Sequence, residues 1–151
     1  MDRIVVLLTI MLLHFANLQA QQNAEEPVKA TVNQLFEGMK AGDAAKVKAA
    51  FADSAILQTI VSKDGKVSIR NITVQFFADF VGKQAAGAAD EQIKFETIKI
   101  DDNLALVWTP YKFYYNGKFS HCGVNSFQLV RFNGQWKIQY LIDTRRKEGC
   151  E

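Results

Sequence analysis

Cysteine and histidine are scarce in this chain, and charge of neither sign dominates it. Two cysteines without a Cys-x-x-Cys motif, and one histidine after residue 20 with no supporting ligand cluster, do not justify a metal site, so no metal and no cofactor is expected. The formal net charge is only +2, and the basic residues are mostly scattered, which argues against a nucleic-acid partner. Phosphate-binding glycine loops and Ser-His-Asp sets are also missing from the sequence pattern.

Long hydrophobic runs are missing too, apart from Ile4–Leu13, which is too short to span a bilayer. Arg3 precedes this run and the small residue Ala20 follows it, so residues 1–20 are predicted to be a signal peptide. A membrane anchor is the alternative. With the signal peptide removed, we expect a periplasmic or secreted protein without a membrane span. Residues 21–26 are polar and are predicted to form a disordered linker.

Residues 27–147 are predicted to form one domain, followed by a tail at 148–151. Apolar residues recur at helical spacing in Pro27–Lys40, and shorter helices are predicted at Ala44–Phe51 and Ile72–Lys83. The predicted strands are Ser54–Val61, Val67–Arg70, Gln92–Ile100, Leu104–Tyr115, Phe119–Phe132 and Gln135–Arg145. This order predicts an α+β fold with three helices packed on one face of a curved, mainly antiparallel sheet.

Two Asn-Gly pairs, at 116–117 and 133–134, predict tight β-hairpin turns. Counting outward from the turns pairs the strands, and side chains then alternate between two faces. The expected concave face carries Glu96, Trp108, His121, Asn125, Trp136, Tyr140 and Thr144. Asp143 and Arg145 are expected on the outer face. A single bulge would exchange the faces of the residues beyond it.

Several of these side chains could carry chemistry. His121, the only histidine after residue 20, could transfer protons together with Glu96. Alternatively, His121 could simply bond a neighbour at a strand end, and a slip of register could leave Glu96 outside. For a bound ligand, Asn125, Tyr140 and Thr144 offer hydrogen bonds. Trp108 and Trp136 offer stacking surfaces, with core packing as the competing interpretation.

The two cysteines, Cys122 and Cys150, could form a disulfide in an exported protein. Free thiols or an intermolecular bridge are equally compatible with the sequence.

Segments at both ends of the predicted domain resemble a known superfamily. Lys40-Ala41-Gly42-Asp43, Phe51-Ala52-Asp53 and Asn133-Gly134-Gln135-Trp136 resemble the nuclear transport factor 2-like (SnoaL-like, ketosteroid-isomerase-like) proteins. The segments Ser120–Leu129 and Asp143–Lys147 resemble a narrower group of exported bacterial proteins described as putative lumazine-binding. The resemblance implies a cone, in which a bent sheet wraps around a pocket closed by the helices, and a homodimer formed through the outer sheet face.

Three functions are compatible with this resemblance. The first is an exported protein that binds an apolar or aromatic small molecule in the cone. The second is a cofactor-free SnoaL-like enzyme that uses His121, with Glu96, for proton transfer. The ketosteroid-isomerase pattern itself does not carry over, because the first helix contains no tyrosine. The third is a protein-interaction module that uses the outer sheet face and has a filled cone.

Overall fold

The computed structural model describes residues 23–150, so the predicted signal peptide lies outside the described residues. The helices are α1 (residues 23–41), α2 (Ala44–Ala50) and α3 (Val74–Gly82). The strands are β1 (Phe51–Lys63), β2 (Lys66–Ile72), β3 (Ala89–Ile93), β4 (Thr97–Asp101), β5 (Leu104–Tyr115), β6 (Lys118–Phe132) and β7 (Gln135–Asp143). Residues 23–26, which the sequence predicts as a disordered linker, belong to α1.

The strands form one sheet in the order β2-β1-β7-β6-β5-β3, and β4 pairs with β5 as well. Every pair is antiparallel except β1 with β7, which confirms the prediction of a mainly antiparallel sheet. The helices cover its concave face. The apolar stripe of α1 is buried there, and it consists of Val28, Val32, Leu35, Phe36 and Met39. Burial of this stripe fixes the helix against the sheet.

Caps determine where the two shorter helices begin. Asp43 accepts a hydrogen bond from the backbone of Lys46 at 2.9 Å and starts α2. Thr73 accepts one from the backbone of Phe76 at 3.1 Å and starts α3, two residues later than the sequence predicts. No helix among the described residues has both the length and the apolar character needed to cross a membrane.

Both Asn-Gly turns form as predicted. Asn116 and Gly117 have φ angles of 51° and 73°, and Asn133 and Gly134 have 50° and 84°. These left-handed pairs match the hairpin turn that suits strand twist. Next to the second turn the register is also the predicted one, since Arg131 pairs with Trp136.

A bulge in β7 overturns the predicted register farther from the turn. Leu129 pairs with Ile138, but Gln128 pairs with Tyr140, so Gln139 is the extra residue. The Gln139 side-chain amide donates to the Ser54 carbonyl of β1 at 3.0 Å. Beyond the bulge the faces exchange: the expectation that Tyr140 faces the cone and Asp143 the outside was wrong in both cases. Asp143 is buried on the concave side.

A second bulge, in β6, moves Trp108 to the outer face. Phe113 pairs with His121, whereas Tyr114 pairs with Phe119, so Ser120 is the extra residue. Thr109, not Trp108, therefore faces Asn125. Trp108 is 41% exposed. The prediction that Trp108 lies on the concave side was therefore wrong. Asn125 and His121 lie on the inner face, as predicted.

Glu96 also lies outside the cone. The single strand predicted over Gln92–Ile100 is split into β3 and β4, and Glu96 lies between them. Its neighbour Phe95 packs against the core, and Glu96 itself is exposed. The prediction that Glu96 lies on the concave face was therefore wrong. The alternative, in which a slip of register leaves Glu96 outside, is observed.

The C-terminal tail is tied to β6 by a disulfide between Cys122 and Cys150. Cys122 and Arg146 also exchange two backbone hydrogen bonds, at 2.9 and 2.8 Å. Just before Arg146 the chain passes so close to Gly123 that a Cβ there would overlap the Thr144 carbonyl oxygen. Only glycine permits this approach. The tail thereby holds Arg145 at the end of the cone.

Candidate ligand-binding site

A cavity of about 200 Å³ lies between α1, α3 and the concave face of the sheet. Five aromatic side chains line it, namely Phe36, Phe77, Phe80, Phe113 and Tyr115. An apolar cavity of about 150 Å³ is enough to hold benzene, whereas drug-sized ligands occupy about 300 Å³ or more. The cone is therefore hollow and has room for a compound of one or two rings.

Glu91 of β3 is the central polar group of this cavity. The side-chain amide of Asn125 donates to its Oε1 at 2.8 Å. Burial raises the pKa of Glu91 to about 7; the Asn125 hydrogen bond acts against this rise, and the charge of Asp143 adds to it. Near neutral pH this carboxyl is therefore divided between its protonated and ionised forms, so it can give or take a proton.

A second polar group is built around Asp143 at the end of β7. Its Oδ2 accepts from Arg145 Nε at 2.8 Å and from the Tyr111 hydroxyl at 3.3 Å. The same hydroxyl donates to the Thr144 carbonyl at 2.9 Å. Burial raises the pKa of Tyr111 well above its usual range, and the charges of Glu91 and Asp143 act in the same direction. Tyr111 therefore remains a neutral donor.

Arg145 connects this group to β1, because its guanidinium donates to Thr59 Oγ1 at 3.4 Å. Burial lowers the pKa of Arg145, but the charge and hydrogen bond of Asp143 more than reverse the effect. The result is a firmly charged arginine whose charge is balanced by Asp143.

His121 lies on the inner side of β6 but does not line the cavity. Its ring packs against Tyr111 and Phe113, with centroid distances of 5.7 and 5.1 Å. Nδ1 lies 3.1 Å from the Ser120 hydroxyl. Burial lowers the pKa of His121, and the charge of Arg145 lowers it further, so the imidazole is neutral at pH 7. The structure does not bring His121 and Glu96 together.

Of the five residues predicted to contact a ligand, only Asn125 lines the cavity. Tyr140 donates to Gln58 at 2.6 Å, and the Thr144 hydroxyl accepts from the Val124 backbone at 3.1 Å. Trp136 is buried, with the Arg131 guanidinium 5.5 Å from its ring centroid. Trp108 lies on the outer face.

Sequence reasoning missed Glu91 and misplaced Asp143 and Arg145. The alternation of Asp143 and Arg145 along one strand was a usable signal, and only the bulge at Gln139 reversed its direction. The sequence around Glu91 contains no such signal. Glu91 follows a loop of small residues and looks like any other acidic residue near the start of a strand. Among residues 23–150, no group of three or more potential metal ligands is clustered.

The family follows from a match over most of the described chain. Residues 23–140 match the model of a family described as "Putative lumazine-binding". The chain belongs to this putative lumazine-binding family. That description indicates small-molecule binding. None of the curated proteins compared matches the chain.

Solved structures support the fold of this family member. It is similar to an NTF2-like protein of unknown function from Shewanella baltica, with 16% identity, a TM-score of 0.65, and coverage of 83% of this chain and 96% of that one. It is also similar to an NTF2-like protein of unknown function from Silicibacter pomeroyi, with 12% identity, a TM-score of 0.61, and coverage of 83% of this chain and 98% of that one. A third, from Methylobacillus flagellatus, has 14% identity, a TM-score of 0.63, and coverage of 82% and 93%. These similarities confirm the nuclear transport factor 2-like cone.

Proposed function

We propose that this protein binds a small ring compound in the cone cavity after export from the cytoplasm. The observation that carries the proposal is a hollow of about 200 Å³ with five aromatic rings on its walls and the Glu91–Asn125 pair among its lining residues. Apolar walls bind a ring by removing its surface from water, and a few placed polar groups fix its orientation. The family description, which names lumazine as a ligand, supports a small-molecule role.

Export is supported by two independent features. The sequence of residues 1–20 has the basic start and apolar stretch of a signal peptide. The disulfide between Cys122 and Cys150 is of the kind that persists in oxidising compartments.

The binding proposal can be tested by NMR titration with lumazine and with indole. Leu141→Trp places a large side chain in the cavity, because Leu141 lines it. Ile142→Trp is the matched control, because the next residue of the strand faces the other side of the sheet. We expect amide shifts near Glu91 and Asn125 in the wild type and in Ile142→Trp, and their loss in Leu141→Trp. If neither compound shifts these amides at millimolar concentration, or if the shifts map to the outer face, the proposal is wrong.

A second candidate function is proton transfer by Glu91 on the bound compound. The pKa of Glu91, raised to about 7 by burial, is the observation that favours it. Glu91 would then have the role that the sequence assigns to His121 and Glu96. A compound recovered from the purified protein by native mass spectrometry would be followed for exchange of its carbon-bound hydrogens in heavy water. Exchange should be lost in Glu91→Gln and kept in Glu96→Gln; retention in Glu91→Gln would exclude this function.

A further inference from the structure

Two carboxylate oxygens of the cavity are available to a ligand that donates hydrogen bonds. Glu91 Oε2 and Asp143 Oδ1 have no hydrogen bond from any residue within 23–150. Of the donors nearby, the Tyr111 hydroxyl bonds Asp143 and Thr144, and Arg145 uses two of its N–H groups on Asp143 and Thr59. A ligand that donates hydrogen bonds can therefore pair with either of these two oxygens.

The charges of the cavity point the same way. Arg145 and Asp143 form an ion pair at 2.8 Å, so their charges balance. The carboxyl of Glu91 has no such cation, and its only hydrogen-bond partner in the described chain is the neutral amide of Asn125. When Glu91 ionises, the cavity therefore holds one negative charge that its own residues do not neutralise.

Aromatic rings line the same cavity as this charge. Phe113 lies directly opposite Glu91 in the β3–β5 pair, and Phe77, Phe80 and Tyr115 line the same cavity. The faces of aromatic rings attract organic cations, and a cage of such rings is a known means of binding ammonium groups. A carboxylate and aromatic rings in one cavity combine both attractions.

We propose that the ligand is a small ring compound that carries a protonated amine, and that Glu91 binds this amine. The inference rests on the proposed binding function and specifies its ligand class. The ring occupies the space among the aromatic side chains, and the ammonium donates to the unpaired carboxylate oxygen of Glu91. Neutral and anionic ring compounds of the same size bind more weakly.

This pairing makes binding depend on pH. An ammonium favours the ionised carboxylate, so affinity rises as the pH passes upward through the Glu91 pKa of about 7. The groups that face Glu91 are Asn125 from β6, Tyr111 from β5, and Asp143 with Arg145 from the end of β7. Lining residues from α1 and α3 are apolar. At pH 6 only about one-tenth of Glu91 is ionised, so the apparent Kd should be about tenfold larger than at pH 8.

Calorimetric titration of the chain from residue 21 onward tests the proposal. The probes are benzylamine, benzyl alcohol and benzoate, which share one ring and differ in charge. We expect benzylamine to bind most tightly at pH 8 and about tenfold more weakly at pH 6, and benzyl alcohol to show no pH dependence. Glu91→Gln keeps the acceptor for Asn125 and should remove both the amine preference and the pH dependence. Glu96→Gln, the same change outside the cone, should retain both.

Failure of the ligand class can be distinguished from failure of the binding function. If benzyl alcohol or benzoate binds as tightly as benzylamine at pH 8, or if the preference survives in Glu91→Gln, the ligand class is wrong and the binding function stands. If none of the three binds at millimolar concentration, the ligand class is wrong, and the titrations with lumazine and indole decide whether the binding function stands. If Glu91→Gln does not fold, the pKa of Glu91 in the wild type is followed through its carboxyl ¹³C shift. Benzylamine should lower this pKa. An unchanged pKa overturns the proposal.

Discussion

Asn125 and Glu91 are joined by a hydrogen bond of 2.8 Å that reaches across β5, the strand that separates β6 from β3. A carboxyl in an apolar cavity is costly when it is left unpaired. This bond reduces the cost, and protonation at neutral pH reduces it further. The pair thus allows a titratable group to persist among aromatic side chains.

Glu91 should make stability fall as the pH rises. Its pKa is about 7 in the folded chain, above the ordinary value of 4.5, so the native state holds the proton more tightly than the unfolded state. Its contribution is complete below about pH 4.5 and is lost as the pH passes 7. Thermal unfolding from pH 5 to 8 should show this fall in the wild type and in Glu96→Gln, but not in Glu91→Gln. The pH dependence of stability that His121 adds is the same in all three proteins. An equal fall of stability with pH in Glu91→Gln would therefore contradict the prediction.

Replacing Thr109 by valine should stabilise the protein by about 1 kcal/mol. The Thr109 hydroxyl is fully buried and has no hydrogen-bond partner in the described chain. Valine removes the unpaired group and keeps the branched shape. Thr59→Val is the matched control, because the buried Thr59 hydroxyl accepts from Arg145 at 3.4 Å, and its loss should not stabilise. Urea denaturation measures both changes; a lower midpoint for Thr109→Val than for the wild type would refute the argument.

Loss of the disulfide should lower the free energy of unfolding by about 3 kcal/mol, because it links residues separated by 28 positions and restricts the unfolded chain. The measurement is guanidinium unfolding with and without dithiothreitol. The double variant Cys122→Ala with Cys150→Ala should resemble the reduced wild type and should not respond to the reductant. Equal stability of the oxidised wild type and the double variant would show that the bridge contributes nothing.

The protein should form a homodimer through the outer sheet face. Leu104, Leu106 and Trp108 are exposed side by side on β5, and apolar surface of this kind favours association. Light scattering at micromolar concentration should give a dimer mass for the wild type and a monomer mass for Trp108→Glu. Phe76→Glu, at a residue of α3 that is 67% exposed, should remain dimeric. A monomeric wild type would exclude this interface.

Local patterns predicted most of the fold. The Asn-Gly pairs mark turns because both residues tolerate the left-handed conformation, and the stripe of α1 marks its buried face by spacing alone. Both effects depend on residues within a few positions of each other. For the same reason, the register next to each Asn-Gly turn could be predicted correctly.

The site could not be predicted because it depends on contacts between distant residues. Nothing in the neighbourhood of Gln139 marks it as a bulge; its amide is held by Ser54, which lies 85 positions earlier. The Glu91–Asn125 bond likewise joins residues 34 positions apart. The two single-residue bulges reversed the predicted faces of Trp108, Tyr140 and Asp143, whereas Asn125 was placed correctly on the concave face.

The bulge at Gln139 divides β7 into two parts that can change separately. Trp136 and Ile138 precede it and build the core, whereas Leu141 and Asp143 follow it and belong to the cavity. Closing the bulge with Gln139 retained, so that Gln139 pairs with Gln128, would turn Tyr140 and Ile142 inward and replace the carboxylate end of the cone by an aromatic and aliphatic one. In this fold, a one-residue slip of register can therefore exchange the ligand preference of the cone in one step while the hydrophobic core keeps its sequence.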